Sequence, residues 1–176
     1  MLGPAGAFAC FAAGTGAGLL LRNRCHDRFH ALEAWRDALE VMGLLLQEER
    51  LPLGDLLCQT AHGLARQGAA AQVRARLLHT GEAILSAPSL TLSQAYEAAV
   101  KTCPISGEQA EEQGHLILLF GQLGSGSAAM RHQAVMAAMK HFGLLVEKAR
   151  SKAEDTGKLY ARLGALGGLM LGIALW

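Results

Sequence analysis

The sequence predicts an all-α protein, a six-helix bundle flanked by an N-terminal and a C-terminal transmembrane helix. Three observations predict it. Through the middle of the 176-residue chain, apolar residues recur three and four apart, the period of a helix with one buried face. No run alternates apolar and polar residues as a half-buried strand would. Every charged side chain lies between Arg22 and Arg162, so both ends are charge-free.

Residues 1–21, "MLGPAGAFACFAAGTGAGLLL", form the first proposed span. About 20 residues at about 1.5 Å each cross a hydrocarbon core of about 30 Å. A cleaved signal peptide would carry its basic residues before the apolar run; here Arg22, Arg24 and Arg28 follow it. Gly6, Cys10, Gly14 and Gly18 repeat every four residues, which lines one face with small groups on which another helix can pack in lipid.

Residues 22–158 form the cytoplasmic helical bundle. The first helix, His30 to Glu49, buries Leu32, Trp35, Leu39, Met42 and Leu46. Pro52, at a first helical position, opens a second with Leu53, Leu56, Leu57, Ala61 and Leu64 inward, ending in "RQGAA". A third runs from about Gln72 to Leu85 on Val73, Leu77 and Ile84. After the break at Pro88 and Ser89, Thr91 with Gln94 is a capping box before "AYEAAV", and Ser106 with Gln109 is another before "EEQGHLILLFGQL". The "GSGS" turn leads to a Ser127-capped helix reaching about Thr156, with Val135, Met139, Phe142, Val146 and Ala149 inward. Short loops make sequential helices neighbours.

Residues 159–176 form the second proposed span, the alternative being a buried last core helix. Gly164, Gly168 and Gly172 repeat the four-residue spacing of Gly14 and Gly18, which predicts pairing of the spans within one chain or between chains of a homo-oligomer. Arg22, Arg24, Lys158, Tyr160 and Arg162 are the interface anchors, and Trp176 suits the opposite interface. Basic residues flank both spans only on the bundle side, so the positive-inside rule puts the bundle in the cytoplasm and both termini outside.

Little points to chemistry. A net charge of +1 gives no basic face for nucleic acid. Cys10, Cys25, Cys58 and Cys103 are scattered without a Cys-x-x-Cys pair and suit a reducing compartment. No Gly-Lys-Ser/Thr phosphate loop and no Gly-x-Ser-x-Gly nucleophile turn occurs. "HDRFH" sets His26 and His30 one helical turn apart with Asp27 beside them, the germ of a metal site. The alternative function is therefore a membrane-bound metal hydrolase on His26, Asp27 and His30, but Asp stands where that motif has Glu and no third ligand is evident. The remaining histidines, His62, His79, His115, His132 and His141, are dispersed on helices as surface or boundary residues. The preferred reading has no catalytic residues, metal or cofactor.

The segments "PLGDLL", "LTLSQAYEAAV" and "LFGQLG", with the closing "KLYARLGALGGLMLG", resemble the stage III sporulation protein AB family over the whole chain. The most specific part is Leu159, Tyr160, Leu163, Gly164, Leu166, Gly167 and Gly168. Where relatives carry Ser-Asp after the Leu-Gly turn, this chain has "LGSGSAAM", and Ser127 can take over the capping role. The resemblance implies a non-enzymatic membrane platform subunit of the mother cell to forespore transport apparatus required for endospore formation. It also implies a bundle like the cytoplasmic domains of type II secretion F proteins. The implied partners are a cytoplasmic ATPase, stage III sporulation protein AA, and other stage III proteins, at the mother-cell membrane facing the forespore.

Overall fold

The computed structural model describes the backbone of residues 4–48, 51–87 and 89–174, and the side chains of residues 23, 25–47, 51–87 and 89–153. Among these residues the chain is six α-helices and no strand: α1 (Pro4–Glu48), α2 (Leu53–Gly63), α3 (Gly68–Ser86), α4 (Leu92–Thr102), α5 (Ala110–Ser125) and α6 (Ala128–Ala174). Each helix packs on the next in sequence, and the most extensive contact, α1 with α6, closes the ring. Contact between α1 and α3 crosses its middle.

The stripes read from the sequence are the faces that pack. Leu32, Trp35, Leu39 and Met42 of α1 are fully buried, with Leu56, Leu57 and Ala61 of α2, Val73 and Leu77 of α3, and Tyr96 of α4. Leu116, Phe120 and Leu123 of α5 and Val135 and Phe142 of α6 complete the core. Tyr96 stacks on Phe120 with centroids 4.1 Å apart and planes 9° from parallel, and Trp35 meets Tyr96 edge-on at 6.2 Å. An aromatic pair of this kind contributes about 1 kcal/mol beyond its buried area.

Several boundaries differ from the sequence reading. Pro52 caps α2 from outside rather than occupying its first turn. Helix α3 begins at Gly68, four residues before Gln72, because the glycine in "RQGAA" takes φ +62° and turns the chain directly into the next helix. The Thr91 box is present: the Gln94 amide donates to Thr91 Oγ1 at 3.3 Å, and the Thr91 amide donates to Gln94 Oε1 at 3.1 Å. Ser106 does not open α5; Gln109 does, its amide donating to Glu112 Oε2 at 2.8 Å. The Ser106 amide donates instead to Gln72 Oε1. Ser127 takes the capping role, accepting from the Met130 amide at 3.4 Å.

The first and last helices are longer than expected. Helix α1 passes without a break through the boundary at residues 21–22, and α6 through that at 158–159, so charge-free segment and bundle helix are one helix at each end. Among the described residues no helix is long and apolar enough to cross a membrane. The proposed spans at 1–21 and 159–176 lie outside the residues whose side chains are described.

Residues 103–109, between α4 and α5, lie directly on α1. Gly107 has φ +82°, and a Cβ there would overlap the Arg28 amide nitrogen and approach the Asp27 carbonyl carbon to 2.6 Å. Both the left-handed conformation and the close approach require glycine. Gly107→Ala should therefore destabilise the protein by about 3 kcal/mol or more, read as a lower urea midpoint at unchanged slope.

Candidate functional site

Two features converge on the bundle half of α1: a buried ionic clamp beneath it and an acidic cleft beside it. The clamp centres on Arg76, an arginine inside the buried stripe of α3. Its side chain is 0% exposed and that of Glu108 is 1% exposed. Arg76 Nη1 donates to both Glu108 oxygens, at 2.6 and 2.8 Å; its Nε donates to the Cys103 carbonyl at 3.0 Å. Nη1 also lies 3.3 Å from the Tyr96 hydroxyl.

Arg76 Nη2 is buried without a partner among the described residues, whereas both Glu108 oxygens take a further donor. Oε1 accepts from Trp35 Nε1 at 3.0 Å and Oε2 from Gln113 Nε2 at 3.1 Å, so one carboxylate joins α1, α3 and α5 through the 103–109 connection. A second ion pair, Arg28 Nη2 to Glu112 Oε1 at 2.8 Å, fastens α1 to the start of α5. Glu112 is 3% exposed and also holds the Gln109 amide.

Burial pushes the Tyr96 hydroxyl well above the ordinary tyrosine range, and the Glu108 carboxylate adds to the shift against the opposing pull of Arg76. At Cys58, burial and then the Glu82 and Asp55 carboxylates raise the thiol, which makes it a poor nucleophile.

The cleft, about 470 Å³, lies between α1, the α2–α3 connection and the first turn of α3. Asp27, His30, Glu33 and Asp37 line its α1 wall, with Ala34 and Ala69 among its apolar residues. Of the residues singled out for a hydrolase, His26 and His30 do meet: their Nε2 atoms are 3.0 Å apart on the exposed side of α1. Asp27 makes no hydrogen bond to either ring among the described residues, and no group of three or more candidate ligands forms there.

The other histidines sit as expected, exposed or half-buried. His62 Nδ1 contacts the Cys58 carbonyl, His132 pairs with Gln47, and His115 packs against His141. The packing glycines Gly14, Gly18, Gly164, Gly168 and Gly172 and the anchors Arg22, Arg24, Lys158, Tyr160 and Arg162 fall outside the described side chains.

The clamp was not read from the sequence, although one signal was there. Val73, Arg76 or Leu77, Thr80 and Ile84 follow helical spacing, which puts an arginine on the buried side of α3. A buried arginine demands a carboxylate.

This is a closed all-helical bundle whose buried charges are paired with one another and join its helices. It belongs to the stage III sporulation protein AB family, whose family model matches residues 4–176, and so it is a sporulation protein. A solved structure of a stage III sporulation protein AB shares the fold, with a TM-score of 0.61 at 17% identity over 73% of this chain and 97% of that one. No curated protein matches the chain.

Two expected outcomes follow from the clamp. Arg76→Met or Glu108→Leu alone leaves its partner charged and buried, and each should destabilise the protein by about 3–5 kcal/mol in urea unfolding. The double variant should lose less than the sum of the two. For Tyr96, a folded-state value raised above the unfolded one means the unfolded chain releases the proton first as pH rises. Stability from this group is complete below about pH 10 and lost above it, and Tyr96→Phe should remove that part of the alkaline loss.

Proposed function

We propose that the chain is a non-enzymatic platform subunit at the mother-cell membrane facing the forespore, anchored by residues 1–21 and 159–176. The bundle, residues 22–158, stands in the cytoplasm. The single observation that carries this reading is the continuity of α1 and α6. The two helices with the most extensive mutual contact each run unbroken from the core into a charge-free end. Motion or force at the bundle would then reach the membrane through helix rather than through a linker.

In this reading Arg22, Arg24, Lys158, Tyr160 and Arg162 hold the interface, and Gly14, Gly18, Gly164, Gly168 and Gly172 pack the spans. The partner is the cytoplasmic ATPase, stage III sporulation protein AA, with other stage III proteins of the transport complex. Leu118 on α5 and Met130 and Leu144 on α6, 65%, 63% and 55% exposed, supply apolar area for such a contact.

Membrane fractionation, impermeant-maleimide labelling and co-purification test the reading together. The chain should sediment with membranes and pull down the ATPase from detergent extracts. Cys103 should label only after permeabilisation, with Cys58 slower because its thiol is raised. Gly168→Leu should reduce complex assembly while leaving the bundle's helical signal unchanged. Labelling of Cys103 in intact cells would reverse the orientation, and recovery in the soluble fraction would remove the anchor.

A further inference from the structure

We propose that His26 and His30 form a two-histidine site for a divalent transition-metal ion, Cu²⁺, Ni²⁺ or Zn²⁺, on the exposed side of α1. Four residues of helix bring the two rings onto one face, and their Nε2 atoms converge to 3.0 Å with ring centroids 4.3 Å apart. Two imidazole nitrogens on one ion, each at about 2.0–2.1 Å, are about 2.9 Å apart at a right angle and about 3.3 Å apart at a tetrahedral one. The observed separation fits cis positions of a square-planar or octahedral ion directly, and tetrahedral Zn²⁺ after an opening of a few tenths of an ångström.

The surroundings favour a cation. His30 turns its other nitrogen, Nδ1, toward Glu33 Oε2 at 3.5 Å, so the carboxylate lies behind the ring where it can hold Nε2 toward His26. Phe29 packs its ring edge against His30 at 5.3 Å, which restricts its rotation. Asp27, Glu33 and Asp37 line the adjoining cleft, and of the described cations on this stretch of α1, Arg28 is drawn to Glu112 and Arg36 to Asp37. Imidazole donors select Cu²⁺, Ni²⁺ and Zn²⁺ over Mg²⁺ and Ca²⁺, which take oxygen ligands. Two protein ligands leave positions open to water or to a side chain of another molecule. The site needs no hydrolytic chemistry and does not depend on the platform reading.

The test uses the full chain, purified without a polyhistidine tag, in detergent and stripped with chelator. Ni²⁺ or Zn²⁺ alone is titrated against a chromophoric competitor. One ion per chain should bind in the micromolar range, and His26→Ala and His30→Ala should each weaken it by about tenfold or more. His79→Ala, an exposed histidine elsewhere on α3, should leave it unchanged. With Cu²⁺, paramagnetic resonance should show two equatorial nitrogens in the parent and one in either variant. Far-UV circular dichroism confirms that the variants fold. A parent that binds no tighter than the His26→Ala, His30→Ala double variant, or a Cu²⁺ signal unchanged by both substitutions, overturns the site.

Discussion

The ion pair between Arg76 and Glu108 is the constraint around which the bundle is arranged. Two charges taken wholly out of water are tolerated only where nearly every donor and acceptor finds a partner. Here that requirement reaches into four helices and one connection. Trp35, Tyr96, the Cys103 carbonyl and Gln113 must all stand at hydrogen-bonding distance at once. Apolar burial of Leu32, Leu77 and Phe120 supplies most of the drive to collapse, yet leucine surfaces tolerate sliding. The polar node does not, because a shift of one turn would strand a charge.

The same node explains why the 103–109 connection lies flat on α1. Glu108 reaches Arg76 only if the chain passes close over Asp27 and Arg28, and only a glycine at 107 permits that approach. Arg28 and Glu112 then fasten the neighbouring turn, so α1 is held by charge on one side and by α6 along its length. A helix fixed in this way is suited to carry position from the bundle toward the end of the chain. This is the physical content of the proposed platform role.

Much of the architecture was legible in the sequence because helix period and capping act locally. The stripes of α1, α2, α3 and α6, the Thr91–Gln94 box and the Ser127 cap all depend on residues within a few positions of each other. The start of α5 was misplaced by three residues because Ser106 and Gln109 carry the same local pattern as Gln109 and Glu112. The conformation of Gly107, set by its contact with α1, decides between them. The clamp was hidden for the same reason: Trp35 lies 73 positions from Glu108, and no local rule pairs them. Helix ends 21–22 and 158–159 were read as boundaries because composition changes there, although backbone hydrogen bonding continues regardless of what surrounds the side chains.

Hydrogen exchange along α1 in the full chain measures the central claim most directly. If the Arg76–Glu108 pair holds α1 in register, amides of residues 27–36 exchange together with those of α3 and α5. In Glu108→Ala these amides and those of the 103–109 connection should lose protection before those of α6. Protection of residues 27–36 that is unchanged in Glu108→Ala would contradict the account and leave α1 held by apolar packing alone.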